Sequence, residues 1–486
     1  MPGRNGTVAP DRLAGVPAFL EALRRDYVGY LLALGTLSLG NLLLLPLITA
    51  CLSAAELGLY SLVVTAMVQG TTFGLLGLKF AYLYHYAQHD ESERPALLGA
   101  CLLLSGCASV AAGLLLWAVF ATPRIMAFFD AEPLPQGWLL VPALLSGCVQ
   151  TLLLTELRAA RQIGLSSLIA IAQLVAMLLL SVLLVVRFDA GLPGLIAAGA
   201  LAQGLACLAG LSLLAGRIRL RGALPHARRL LRYGLPLMAG LMLLYSLDTL
   251  ARFLIAAVIS IEAAGRFLIV AQIAGLFEAL LALPFLTAWG GLVHHALRRP
   301  EASIILSRVS GQAIVAAALL LLGFLAVQDH LFRLLSHDAA PELAGAFALL
   351  LLIKAIQLVK SPLSAGILRT GTTGWAVQNN LLMVAVFLLT FFPFSRLWVL
   401  EGMVTAMLCA NIVPMLTLTA AAHRHCPQRI RPQVWAAGLL AVSAVAATLW
   451  FGHVPAVPLA ALLLVAGLAF LSRPDLRTPE QATPLP

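Results

Sequence analysis

From Gly29 to Leu471 the sequence passes through one apolar stretch after another, separated by short polar connectors. Each stretch is about 20 residues long, enough to cross a hydrocarbon core about 30 Å thick as an α-helix rising about 1.5 Å per residue. Inside lipid every backbone N–H and C=O must be paired within the protein, which leaves helices or closed barrels. The apolar–polar alternation of barrel strands is absent here. Charged residues make up 11% of the chain and mean hydropathy is +0.96, whereas soluble domains carry about 25% charged residues. The chain is read as an all-α polytopic membrane protein.

Fourteen spans are expected, at 29–50, 57–83, 96–120, 137–157, 164–186, 193–215, 234–256, 264–289, 303–327, 342–367, 375–394, 397–420, 434–452 and 455–472. The connectors are too short to hold a catalytic domain, no phosphate-cradling loop is present, and the chain is read as a non-enzyme. The seven cysteines are scattered without ligand spacing, so neither a metal nor a cofactor is expected. Residues 1–28 form a polar, mildly basic N-terminal segment, and 473–486 a tail. The longest polar connector, "RIRLRGALPHARRLLRY" at 217–233, divides helices 1–6 (29–216) from helices 7–12 (234–422), with helices 13 and 14 (423–472) appended.

Basic residues set the expected orientation. With both termini cytoplasmic, about 22 of the 31 Lys and Arg fall in cytoplasmic segments, against six on the other side. The formal charge of +10 then faces the anionic headgroups of membrane lipids; no nucleic-acid surface is implied.

The two halves resemble each other. "LGNLLLLPLITACLSAAELGLYSL" (39–62) aligns with "YSLDTLARFLIAAVISIEAAGRFLI" (245–269) at an offset of 207, placing Ser53 on Ser260, Gly58 on Gly265 and Asn41 on Asp248. Six spans per repeat is an even number, so the repeat is parallel, an arrangement in which substrate sits between the halves and access alternates as they rock.

"PLITACLSAAELGLYSL" resembles the first-to-second-span signature of the polysaccharide flippases (Wzx-type), and "LLRYGLPLMAG", "LDTLARFL" and "ISIEAAGRF" resemble that family's passage into its second half. Ala50 stands where family members often have Arg, Asp248 and Arg252 are spaced rather than adjacent, and Arg266 stands at a commonly apolar position. The resemblance implies the multidrug/oligosaccharidyl-lipid/polysaccharide exporter superfamily, with two six-helix lobes in a V around a central cavity. It further implies a bacterial inner-membrane transporter that flips a polyprenyl-diphosphate-linked oligosaccharide to the periplasmic leaflet for lipopolysaccharide or exopolysaccharide synthesis. A polysaccharide polymerase and chain-length components are the implied partners. The peptidoglycan lipid II flippases and the ion-coupled multidrug antiporters of the same superfamily are open alternatives.

Ionisable groups inside spans carry the site reading. All three lysines, Lys79, Lys354 and Lys360, lie in apolar stretches, as do Asp248 and Glu278. Five such groups facing lipid would cost on the order of 12–18 kcal/mol, so they must face a cavity or each other. Lys354, Gln357, Ser361 and Ser364 share one helix face bordered by Lys360, and Pro362 is expected to kink that helix. Lys354, Lys360, Lys79, Gln357, Arg252 and Asn41 are candidates for binding an anionic lipid-linked saccharide, with lysine suited to phosphate as a compact point charge. Glu278 and Asp248 are candidates for ion coupling or for ion pairs, with Arg252 four residues beyond Asp248. Asn41, Gln69, Gln150, Gln173 and Gln203 are expected either to line the first lobe or, more often for such residues, to form interhelical hydrogen bonds.

Overall fold

The computed structural model describes residues 15–86, 88, 91–336, 343–370, 374–452 and 454–471. These form eighteen α-helices and, among the described residues, no strand. The first half comprises α1 (Gly15–Leu42), α2 (Leu44–Cys51), α3 (Ala54–Leu75), α4 (Leu78–Tyr86), α5 (Arg94–Ala121), α6 (Pro123–Ala127), α7 (Leu140–Ala159), α8 (Ile163–Ser181) and α9 (Gly191–Leu214). The second comprises α10 (Leu224–Val258), α11 (Ile261–Phe277), α12 (Leu283–Leu297), α13 (Ala302–Leu335), α14 (Ala344–Leu363), α15 (Gly374–Leu397) and α16 (Val399–His425), followed by α17 (Pro432–Phe451) and α18 (Ala456–Leu471).

Twelve helical segments among the described residues are long and apolar enough to cross a membrane. The protein is a multi-pass membrane protein, and the difference from the fourteen expected spans lies at the two ends of the chain. At the first, Pro46 cannot donate to Leu42 and its ring crowds that carbonyl, so the expected span 29–50 is divided into α1 and α2 at Leu43. At the last, α18 has 16 residues, about 24 Å of helix. Helix α1 also begins inside the segment expected to be merely polar. Phe19 and Leu23 recur at i, i+4 and bury themselves against Trp289, Val293 and Ala296 of α12.

The halves meet through contacts that repeat at the offset of 207. Ser53 and Ser260 cap α3 and α11: Ser53 Oγ accepts from Glu56 N at 3.3 Å, and Ser260 Oγ from Ala263 N at 3.1 Å. Glu56 completes a capping box by accepting from Ser53 N at 2.9 Å. One turn on, α3 and α11 touch backbone to backbone. A Cβ on Gly58 would collide with Ile261 O, and one on Gly265 would collide with Ala54 O. Ala54 and Ile261 are themselves equivalent residues, so this is a self-complementary contact of the kind a two-fold axis generates.

Both long helices of this contact are interrupted further along. Helix α3 stops at Leu76, whose φ is 49°, and Gly77, with φ 68°, starts the turn into α4. Helix α11 passes into α12 through a π turn, Glu278–Ala282. Each interruption receives a helix from the other half, through docking residues, Tyr27 and Gly234, that are related by the offset of 207. Gly234 of α10 packs on Leu76 O and Gly77, and Tyr27 of α1 donates to Leu280 O at 2.8 Å. Gly77 tolerates both its positive φ and this close approach because it has no Cβ.

Candidate functional site

The π turn brings the in-span charges of the second half together. A π turn places its residues outside the α-helical pattern and is frequent at functional sites. Glu278, its first residue, accepts from Lys354 Nζ of α14 at 2.7 Å, with the carboxylate side chain 48% exposed and the lysine 21%. Asp248 and Arg252 of α10 lie within electrostatic range of that lysine. Arg252 points to the other half: its Nη1 donates to Ser61 Oγ of α3 at 2.8 Å, and its guanidinium lies 5.5 Å from the Phe267 ring centre. The spacing of Asp248 and Arg252 keeps them in electrostatic range of one another.

The polar stripe of α14 is spent on neighbouring helices. Gln357 Nε2 donates to Asn411 Oδ1 of α16 at 3.1 Å. Lys360 Nζ lies 2.7 Å from the Asn379 amide oxygen of α15, with the amide oriented so that its nitrogen donates to Pro414 O at 3.0 Å. Pro362, expected at a kink within α14, stands at its C-terminal end. It falls one residue before the helix ends at Leu363, and Gln428 Nε2 caps that end by donating to Pro362 O and Leu363 O, both at 3.1 Å. A proline so near the C-terminus stops a helix rather than bending it, since few residues remain to continue it. The side chain of Asn41 lies outside the described residues.

Lys79 occupies a different place. A cavity of about 610 Å³ opens among α3, α4, α7, α8, α9 and α10. Its wall is largely apolar, with Lys79, Thr71, Thr151, Gln173, Gln203 and Tyr245 among its polar members; none of the lining residues is Asp or Glu, and neither Lys354 nor Lys360 lines it. That volume falls in the range of about 300–1,000 Å³ usual for small-molecule sites.

Two buried polar arrangements of the first half complete the picture. Gln150 Nε2 donates to Gln173 Oε1 at 2.7 Å, Gln173 Nε2 to Gln203 Oε1 at 2.9 Å, and Gln203 Nε2 back to Gln150 Oε1 at 2.5 Å. The three amides thus close a ring linking α7, α8 and α9, the interhelical role expected of them. Gln69 Nε2 likewise donates to Met242 O of α10 at 3.3 Å. Gln150→Leu removes two bonds of the ring, and the expected loss is about 1–3 kcal/mol of stability. An unchanged thermal midpoint of the purified variant would contradict that. The second arrangement escaped the sequence reading: Tyr82 donates a short hydrogen bond to the buried Glu156, whose Oε1 lies 3.9 Å from Arg217 Nη1. Glu156 sits at the end of its span among arginines, where a carboxylate reads as solvated; only the fold shows Tyr82 folding over it.

Residues 47–285, about half of the chain, match the family described as polysaccharide biosynthesis protein. No curated protein matches the chain. Among solved structures, the lipid II flippase MurJ in an inward closed conformation is similar with a TM-score of 0.69 at 11% identity, covering 93% of this chain and 97% of its own. A MATE transporter in complex with MaD5 gives 0.63 at 14% identity, covering 89% and 99%. A mutant of the Vibrio cholerae MATE transporter VcmN gives 0.58 at 15%, covering 84% and 97%. At these identities the likeness is one of fold, and the fold is that of membrane transporters.

Proposed function

We propose, for a chain that belongs to the polysaccharide biosynthesis protein family, the transfer of a lipid-linked anionic saccharide across the bacterial inner membrane. The observation that carries this reading is the sign of the charge in the cavity. Its wall holds Lys79 and no carboxylate, so it attracts a phosphate and offers no counter-charge to a drug cation. Lys354 and Lys360 extend the same chemistry along α14. A diphosphate carries more charge than one carboxylate, and it displaces Glu278 from Lys354 as the cargo arrives.

The test uses purified protein in liposomes loaded with fluorescent undecaprenyl diphosphoryl-N-acetylglucosamine on one leaflet. Transfer to the other leaflet well above the protein-free rate is expected, without efflux of ethidium from the same vesicles. Ethidium efflux without lipid transfer would replace this reading with a drug antiporter. Both chain ends are assigned to the cytoplasm, from the arginine distribution. Reporter fusions after Arg228 and after Pro486 should both signal cytoplasm, and a periplasmic signal at either would overturn that orientation.

A further inference from the structure

The glutamine ring does not exhaust its own hydrogen-bonding capacity. Each primary amide has two N–H donors and two acceptor lone pairs on oxygen, and within the ring each amide uses one of each. Gln150 is 2% exposed and closes the ring from behind, while Gln173 and Gln203 form part of the cavity wall. The two forward amides therefore present a donor and an acceptor apiece, held in place by the third. Thr71 and Thr151 line the same wall, with Thr151 Oγ1 anchored to Gly147 O at 2.8 Å. Tyr60, Tyr245 and Phe80 add aromatic surface to it, and Lys79 is the charged residue among its members.

This is a neutral polar surface inside an apolar cavity. A lipid tail would make no use of the amides, and a cation would find no carboxylate. A sugar hydroxyl both donates and accepts, as each forward amide does, and the aliphatic edge of a pyranose packs on aromatic rings. We propose that the first-half cavity is a sugar subsite: an uncharged pyranose of the cargo lodges against Gln173 and Gln203, with Lys79 facing the adjoining phosphate. The proposal rests on the transport reading above and names the part of the cargo that this cavity takes.

Binding to protein in lipid nanodiscs tests it, with four probes: undecaprenyl diphosphate and its glucosyl, galactosyl and N-acetylglucosaminyl derivatives. At least one glycosyl lipid should bind about tenfold more tightly than the bare diphosphate, the gain of one or two well-made hydrogen bonds. Two variants should bring that ratio to about one while affinity for the bare diphosphate stays as in wild type. Gln203→Leu removes an amide, and Gly199→Phe fills the cavity at a glycine whose Cβ position is 3.8 Å from the Met177 side chain. The second variant leaves the ring intact, so a folding defect in the first does not decide the matter. A ratio near one in wild type, or one unchanged in Gly199→Phe, overturns the subsite and leaves the transport reading standing. Failure of all four lipids to bind overturns both.

Discussion

Valine at Gly58 or at Gly265 is expected to lower lipid transfer at least about fivefold in proteoliposomes. Either side chain would enter a backbone carbonyl of the facing helix, Ile261 O or Ala54 O. Carbonyls cannot rotate aside as side chains do, so the two helices must separate. Overpacking of this kind costs about 1–3 kcal/mol, and if the halves rock as proposed it falls on the one state in which α3 and α11 are in contact. The population of that state then falls by roughly five- to 150-fold. Gly240→Ala on α10 is the matched control, because its Cβ would meet nothing within 4 Å. Wild-type transfer rates in Gly58→Val would show that the contact is never remade during transport.

Lys354→Ala is expected to abolish transfer and to reduce accumulation, and only the second effect should be reversible. The single variant leaves Glu278 on the π turn without the ammonium 2.7 Å away. Because that carboxylate is half exposed, the coupling is expected near about 0.5–3 kcal/mol for contacting residues rather than the larger values of fully buried pairs. Adding Glu278→Gln removes the stranded charge, and the double variant should accumulate as wild type does. Transfer should stay absent, because the diphosphate loses its cation at that position of α14, which Lys79 and Lys360 do not occupy. Recovery of both properties would make Lys354 a strut between α14 and the π turn and would remove it from the substrate path. Lys354→Arg keeps the charge with a different shape and should retain part of the activity.

Much of the fold was legible because membrane helices announce themselves by length and hydropathy. The offset of 207 was legible for a further reason: Ser53 and Ser260 are caps and Gly58 and Gly265 are contact points, so a physical requirement holds each pair of letters the same. What was not legible depended on partners distant in sequence. Lys354 was read first as a substrate cation, and whether Glu278 or Asp248 would lie beside it was not encoded locally. The polar stripe of α14 was visible, yet the residues that consume it, Asn411 and Asn379, lie on helices whose rotation only packing decides. Pro362 was read as a kink because its distance from the helix end was unknown. The Gln150–Gln173–Gln203 ring needed three helices at one depth, and no local pattern encodes that. Helix interruption was hardest of all: Leu76 and Glu278 are good helix formers, and it is the helices docked on them, α10 and α1, that mark those points.

The π turn also works as a matter of helical phase. Between Glu278 and Ala282 the ladder runs i to i+5, so the segment holds one residue more than an α-helix would. Each residue advances the azimuth of an α-helix by about 100°. All of α12 is therefore swivelled by about that angle relative to an uninterrupted continuation of α11, and this is the angle that aims Trp289 and Val293 at Phe19 and Leu23. Tightening the turn to the α form would rotate α12 back about its own axis and carry its face off α1, while leaving the Gly58–Gly265 contact, a full helix away, where it is.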